Sequence, residues 1–208
     1  MTDQLITWIE AALGNVWFYP FLAVFVLVDA LVPAFPSETA LSLAGAWAGS
    51  QGNPNLGTCL AMAMIGGSIG DQLCFHFGKA LYPQVKKVRI DSKAGKALKW
   101  VRDNMDRRAG ATIIVARFIP WARWITTILL GSVRYSRGAF TFFDTIGVFL
   151  WAVLNLGTGY LGGRLFQDYP LIGLVAGMAF GILFGTLIQK AQNWYTHWRE
   201  EKKGYAEA

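Results

Sequence analysis

Residues 115–124 read VARFIPWARW, so that Arg117 and Arg123 flank Pro120 inside an otherwise apolar run from Ala111 to Leu130. Two permanent cations in such a run need polar company, because a charge at the centre of a bilayer costs at least about 2.5–3.5 kcal/mol on insertion scales. Proline sets the local geometry. Pro120 cannot donate to the carbonyl of Ala116 and disfavours a helical Ile119, so the chain is expected to bend or reverse there. On an unbroken helix, residues with this separation would be rotated by about 240° and would face different surroundings. A break lets both guanidinium groups converge on one cavity. Irregular backbone at membrane depth is tolerated only where protein or a water-filled cavity surrounds it, which points to an interior site.

The rest of the chain supplies the membrane. Of 208 residues, 54% are hydrophobic and only 15% charged, with nine tryptophans and 23 glycines, which is too apolar for an ordinary soluble domain. The runs at 58–70, 145–163 and 171–188 lack the polar faces that a soluble helical bundle would show. The opening MTDQLITWIE has no basic n-region and no small-residue cleavage site, so no removable signal peptide is expected. Leu5, Trp8, Ile9, Ala12, Leu13 and Val16 recur at helical spacing, which suits an interfacial helix over 1–16.

From Lys79 to Arg108 there are ten Lys or Arg against three Asp, and the positive-inside rule makes this connector cytoplasmic. Within it, Ser92 can cap an amphipathic helix carrying Ala97, Leu98, Val101 and Met105 on one face. Cys59 and Cys74 are too far apart on one helix for a disulfide, and neither they nor His76 and His197 show metal-ligand spacing. No metal, cofactor or nucleic-acid partner is expected. GTGYLG (Gly157–Gly162) matches a dinucleotide fingerprint literally, but it ends an apolar span and has no acidic residue about twenty positions on, so close helix packing is the better reading.

A second interrupted stretch mirrors the first. DALVPAFPSE places Asp29 and Glu38 around Pro33 and Pro36, as RFIPWAR places the arginines around Pro120. Each is followed by a small-residue helical piece and then by a span rich in glycine. Broken helix plus span, used twice, is the form of an internal repeat with a site at the repeat interface. Arginine matches phosphate bidentately and keeps its charge, whereas buried carboxylates can exchange protons. The arginines are therefore expected to bind an anion, with Asp29 and Glu38, and after them Asp71, as proton-coupling groups. The alternative in which these charges form purely structural ion pairs stays open.

With these residues in view, the chain resembles the DedA family of bacterial membrane proteins, also called SNARE-associated or VTT-domain proteins. The resemblance runs from about Asp29 to Gly163 and is carried by DALVPAFPSE, by GDQLCFHFGK (Gly70–Lys79) and by RFIPWAR (Arg117–Arg123), with Gly131, Phe140, Gly147 and Trp151 continuing it. The chain departs from the family at Asp29, where glutamate is common, at Ser37, where glycine is common, and at His76, where an aromatic is common. The resemblance implies two oppositely oriented re-entrant hairpins facing each other and a role in moving lipids between leaflets, some members being similar to undecaprenyl phosphate translocases.

The reading is thus an all-α polytopic membrane bundle of one domain with two inverted repeats: an interfacial helix at 1–16, a first repeat at 17–78, the basic connector at 79–110, a second repeat at 111–163, and a last span and cytoplasmic tail at 171–208. Arg117 and Arg123 hold the phosphate headgroup of an anionic lipid substrate; Asp29, Glu38 and Asp71 couple protons; Pro33, Pro36 and Pro120 break the hairpins. No catalytic residue is expected. The location is the bacterial inner membrane, and a homo-oligomer is compatible with the sequence. A proton-coupled small-ion or drug exporter and a membrane lipid phosphatase remain as alternatives.

Overall fold

Where the apolar runs are punctuated, the helices stop. The computed structural model describes residue 7 and residues 11–32, 35–83, 109–119 and 122–165, and every regular element among them is helical. The longer ones are α1 (Phe18–Leu31), α2 (Ser37–Gln51), α3 (Leu56–Ala80), α4 (109–116), α5 (Ala122–Ser132) and α6 (Arg137–Leu165). Pro33 and Pro120, the amphipathic segment proposed within the connector, and the last span with its tail lie outside the described residues, as does much of the opening helix.

Local chemistry explains the ends. Pro36 takes the N-cap position of α2, a site that needs no donated N–H. Gly52 closes α2 in the left-handed region at φ 76°, its N–H donating to the carbonyl of Ala48. Asn55 caps α3 by accepting from the Thr58 N–H at 2.9 Å. At the end of α5, the Tyr135 N–H donates to Leu130 and the Arg134 N–H to Gly131, both at 3.0 Å, with Arg134 at φ 58°. That is a Schellman closure carrying arginine where glycine is usual. The break in the arginine motif lies where the proline predicted it. α4 ends at residue 116, and Arg117, Phe118 and Ile119 each donate three residues back, a tightened final turn.

Among the described residues, α3 and α6 are the helices long and apolar enough to cross a membrane, with 25 and 29 residues; at about 1.5 Å per residue both exceed a hydrocarbon core of about 30 Å. Both extend beyond the apolar runs at 58–70 and 145–163. Each is preceded by a shorter broken pair: α1 and α2 before α3, α4 and α5 before α6. The packing crosses between the halves. α1 lies along α3, but α2 packs most extensively on α6; α5 packs on α3, while α4 touches α6 through Gly110 against Phe143 and Ile114 against Gly147.

Small residues permit the close approaches. Gly45 and Gly49 of α2 face the backbone of Leu156 and Tyr160, and Gly159 and Gly163 of α6 face the backbone of Ser42 and Ala46, so two glycine pairs of four-residue spacing interlock. Gly66 and Gly70 admit α1, and Gly78 and Gly131 join α3 to α5. The packing reading of GTGYLG holds at Gly159, while Gly157 faces open space.

Two apolar layers result. One gathers Leu22, Val26, Leu41, Ala63, Trp151 and Leu156. The other gathers Phe75, Ile113, Leu130 and Phe140, with the rings of Phe75 and Phe140 stacked at 4.6 Å. On both long helices the residue between the layers is an aspartate, Asp71 on α3 and Asp144 on α6. The outer faces of the same helices expose Ile65, Ile69, Leu73 and Phe77, and Phe142, Phe149 and Leu150, a large apolar surface of the kind that meets lipid.

Candidate functional site

Arg117 leaves the end of α4 and enters the gap between the two apolar layers. Its Nη2 donates to Asp71 Oδ2 at 2.5 Å and its Nη1 to Asp144 Oδ1 at 2.9 Å. All three side chains are at least 97% shielded, their relative exposures being 2%, 1% and 3%. The guanidinium carbon lies 5.8 Å from the centre of the Trp151 ring, a cation–π arrangement. Gly67 and Gly147 make the room: a methyl on Gly67 would stand 3.2 Å from Arg117 Nη2, and one on Gly147 3.5 Å from Arg117 Cδ. A single guanidinium thus ties α4 to both long helices.

The cluster is incompletely satisfied. Arg117 Nε and Asp144 Oδ2 are buried without a hydrogen-bond partner among the described residues. Unmet polar atoms in a dry interior each cost on the order of 1–3 kcal/mol. Two carboxylates also share one cation, which leaves a negative charge over if both are ionised.

Arg123 stands one residue inside α5 and serves a second cluster. Its Nη2 donates to the Asp29 carbonyl at 3.0 Å and to Asp29 Oδ2 at 3.2 Å, and Ser37 Oγ donates to the same carboxylate oxygen at 2.7 Å. The end of α1 and the starts of α2 and α5 therefore meet at Asp29. The Ser37 hydroxyl makes a bond that a glycine there could not supply. Asp29 and Ser37 are buried.

The sequence expectations are met unevenly. Asp29 and Arg123 meet each other, and Asp71 meets Arg117. The two arginines do not both open onto a shared vacant cavity, as the break at Pro120 suggested; each is taken up by its own carboxylates, and this is how the chain shields cations in an apolar interior. Glu38 is exposed at the start of α2 and forms no ion pair among the described residues, although it lies close enough to Asp29 and Arg123 to feel their charge. Pro36 caps α2 beside Ser37.

Asp144 is the residue that sequence reasoning missed. Its signal was present, since an acid in the middle of an apolar span is functional by default, but it has no flanking proline.

Comparison with known proteins identifies the family. Residues 35–161 match the VTT domain. The chain is 26% identical to Protein DedA of Escherichia coli K12 over 181 residues, covering 83% of this chain and 82% of that one. It is 25% identical to Undecaprenyl phosphate transporter A of Staphylococcus aureus over 177 residues, covering 82% and 83%. It is also 25% identical to an alkaline phosphatase-like protein of Lactococcus lactis over 158 residues, covering 73% and 72%. No solved structure gives a significant match.

Proposed function

Because the chain belongs to the VTT-domain, or DedA, family, we propose that it is a bacterial inner-membrane transporter that moves a lipid phosphate between leaflets, with Arg117 and Arg123 as the headgroup ligands. One observation carries this reading. Two arginines on either side of Pro120 are each paired with carboxylates from other segments, and Arg117 faces two buried acids with its one charge. Structural pairs need no such surplus, whereas a site that trades carboxylate for phosphate does. The name of the staphylococcal relative makes undecaprenyl phosphate the first substrate to try, and a phospholipid the second.

The architecture supports transport by the same logic. Each half of the chain runs broken pair then long helix, and the second arm of each pair packs on the long helix of the other half. We read this as two inverted repeats whose broken pairs are re-entrant hairpins, within one membrane domain. Rocking one half against the other would shear α2 from α6 and α5 from α3, and both ion clusters bridge the halves.

Proton linkage goes with the carboxylates. Asp29, Asp71 and Asp144 face two arginines, and a proton on the free Oδ2 of Asp144 would balance the charge. Further protons on Asp71 and Asp29 would release the guanidinium groups to a phosphate, with Glu38 relaying at the start of α2.

The test is transfer of a fluorescent lipid phosphate between leaflets of proteoliposomes, with phosphate release measured on the same samples. Arg117→Lys and Arg123→Lys are expected to lose most transfer while still inserting, since an ammonium cannot reproduce a bidentate fork. Normal transfer in both variants overturns the assignment. Release of inorganic phosphate in place of transfer makes the protein the phosphatase that the lactococcal relative's name suggests.

A further inference from the structure

Away from both ion clusters, a groove of about 480 Å³ lies between the outer face of α3 and the start of α6, lined by Ser68, Ile69, Gln72, Leu73, His76 and Arg137. Its two ends differ. Ser68, Gln72 and His76 form one ridge at four-residue spacing, and Ile69 and Leu73 form the next. Arg137, the first residue of α6, stands at the His76 end.

The polar end is held in place. Gln72 Nε2 donates to Thr141 Oγ1 at 2.8 Å, and its Oε1 accepts from Arg137 Nε at 3.4 Å. Arg137 is exposed, has no ion pair among the described residues, and its two terminal nitrogens have no hydrogen-bond partner among them. His76 Nδ1 lies 2.6 Å from the Gln72 carbonyl. With Nδ1 donating, Nε2 is left to the groove.

We propose that this groove binds an anionic lipid phosphate from the leaflet at that end, headgroup on Arg137 and His76 and chain along Ile69 and Leu73. Charge complementarity selects the headgroup: a guanidinium fork aimed by Gln72 donates to phosphate oxygens, and the His76 Nε2 beside it accepts from a P–OH of a phosphate monoester. Length selects the tail. From His76 to Ser68 the groove runs about 12 Å down α3, close to the depth of one leaflet of a hydrocarbon core of about 30 Å. A free anion would use only the upper end and leave the apolar floor uncovered. The groove lies near the buried triad along both helices, because Gln72 follows Asp71 on α3 and Arg137, Thr141 and Asp144 recur at helical spacing on α6. A lipid docked here therefore waits beside the Asp71–Arg117–Asp144 cluster. The site requires the membrane setting but not transport, so its test is separate.

The experiment is native mass spectrometry of the full chain in detergent, titrated with phosphatidic acid and with phosphatidylcholine of the same chains. Wild type is expected to retain phosphatidic acid in preference. Arg137→Gln should weaken that retention by at least about tenfold, the worth of one lost charge-assisted contact. Arg134→Gln, an arginine on the same turn that lies over the Tyr82 ring at 4.2 Å, should leave it unchanged. Equal retention in wild type and Arg137→Gln overturns the proposal. So does an equal loss in both arginine variants, which would mean only diffuse surface charge. Displacement by millimolar inorganic phosphate would make this a free-anion site and overturn the lipid assignment. Selective retention in a protein that transfers no lipid keeps this groove and removes the transport reading.

Discussion

At Arg117 one side chain answers two carboxylates that come from different long helices, each from its own terminal nitrogen, a geometry the planar fork of donors suits. Removing the cation and removing one acid are therefore unequal changes. Arg117→Ala leaves Asp71 and Asp144 facing each other in an apolar layer, an uncompensated burial that costs about 3–5 kcal/mol. Asp144→Asn leaves Asp71 and Arg117 as a neutral pair, and its amide oxygen still accepts from Nη1, so a loss within about 1 kcal/mol is expected. Unfolding of the purified variants in one detergent measures both; an Asp144→Asn protein as damaged as Arg117→Ala would show that the triad does not share charge in this way. The arginines, Asp29 and Asp71 were legible in the sequence because ionisable groups in apolar runs announce themselves. Their partnerships were not. Arg117 reaches Asp71 across 46 residues and Arg123 reaches Asp29 across 94, and nothing local in either motif encodes such pairings. Attention to prolines also drew the reading towards Glu38, which is exposed, and away from Asp144, which is buried.

At the scale of the helix, glycine decides which pairs can touch. Gly159 lies against the backbone of Ser42, so that an added methyl would overlap the Ser42 carbonyl, whereas Gly157, half a turn away, has nothing within 4 Å. Gly159→Ala must push α2 off α6 and is expected to cost about 1–3 kcal/mol, the usual range for overpacking. Gly157→Ala should be neutral or stabilising by up to about 1 kcal/mol, because alanine is the better helix former. Thermal midpoints of the two variants check this, and equal midpoints would remove the close α2–α6 contact from the account. The element boundaries were largely legible: polar turns, Pro36, Gly52 and the arginine motif all start or stop helices where their chemistry says they should. The crossing of α2 onto α6 and α5 onto α3 was not, since glycine-rich spans show that close contacts exist without showing which face meets which partner.

For the molecule as a whole, α3 acts as a ruler between two ends. At its start, the Asn55 N–H donates to the Tyr19 hydroxyl at 3.0 Å, and Gly49 near the end of α2 lies against Arg164 near the end of α6. At its other end, the Arg134 guanidinium covers the Tyr82 ring at 4.2 Å. Asn53 and Leu165 thus share one side, and Tyr82, Arg134 and the start of α6 share the other. Direction follows from charge. The segment from Lys79 to Arg108 carries ten Lys or Arg against three Asp and follows α3 in sequence, so the positive-inside rule predicts that the Tyr82 side is cytoplasmic. On that prediction the groove headed by Arg137 opens to the inner leaflet. Cys59 and Cys74 are buried, leaving a quiet background for single added thiols. Asn53→Cys is expected to react with a membrane-impermeant maleimide in intact cells, and Ser136→Cys only after the membrane is opened. Reaction of Ser136→Cys from outside, with Asn53→Cys protected, would invert the protein and move the groove to the outer leaflet. Reaction of both from outside would break the premise that α3 crosses the membrane.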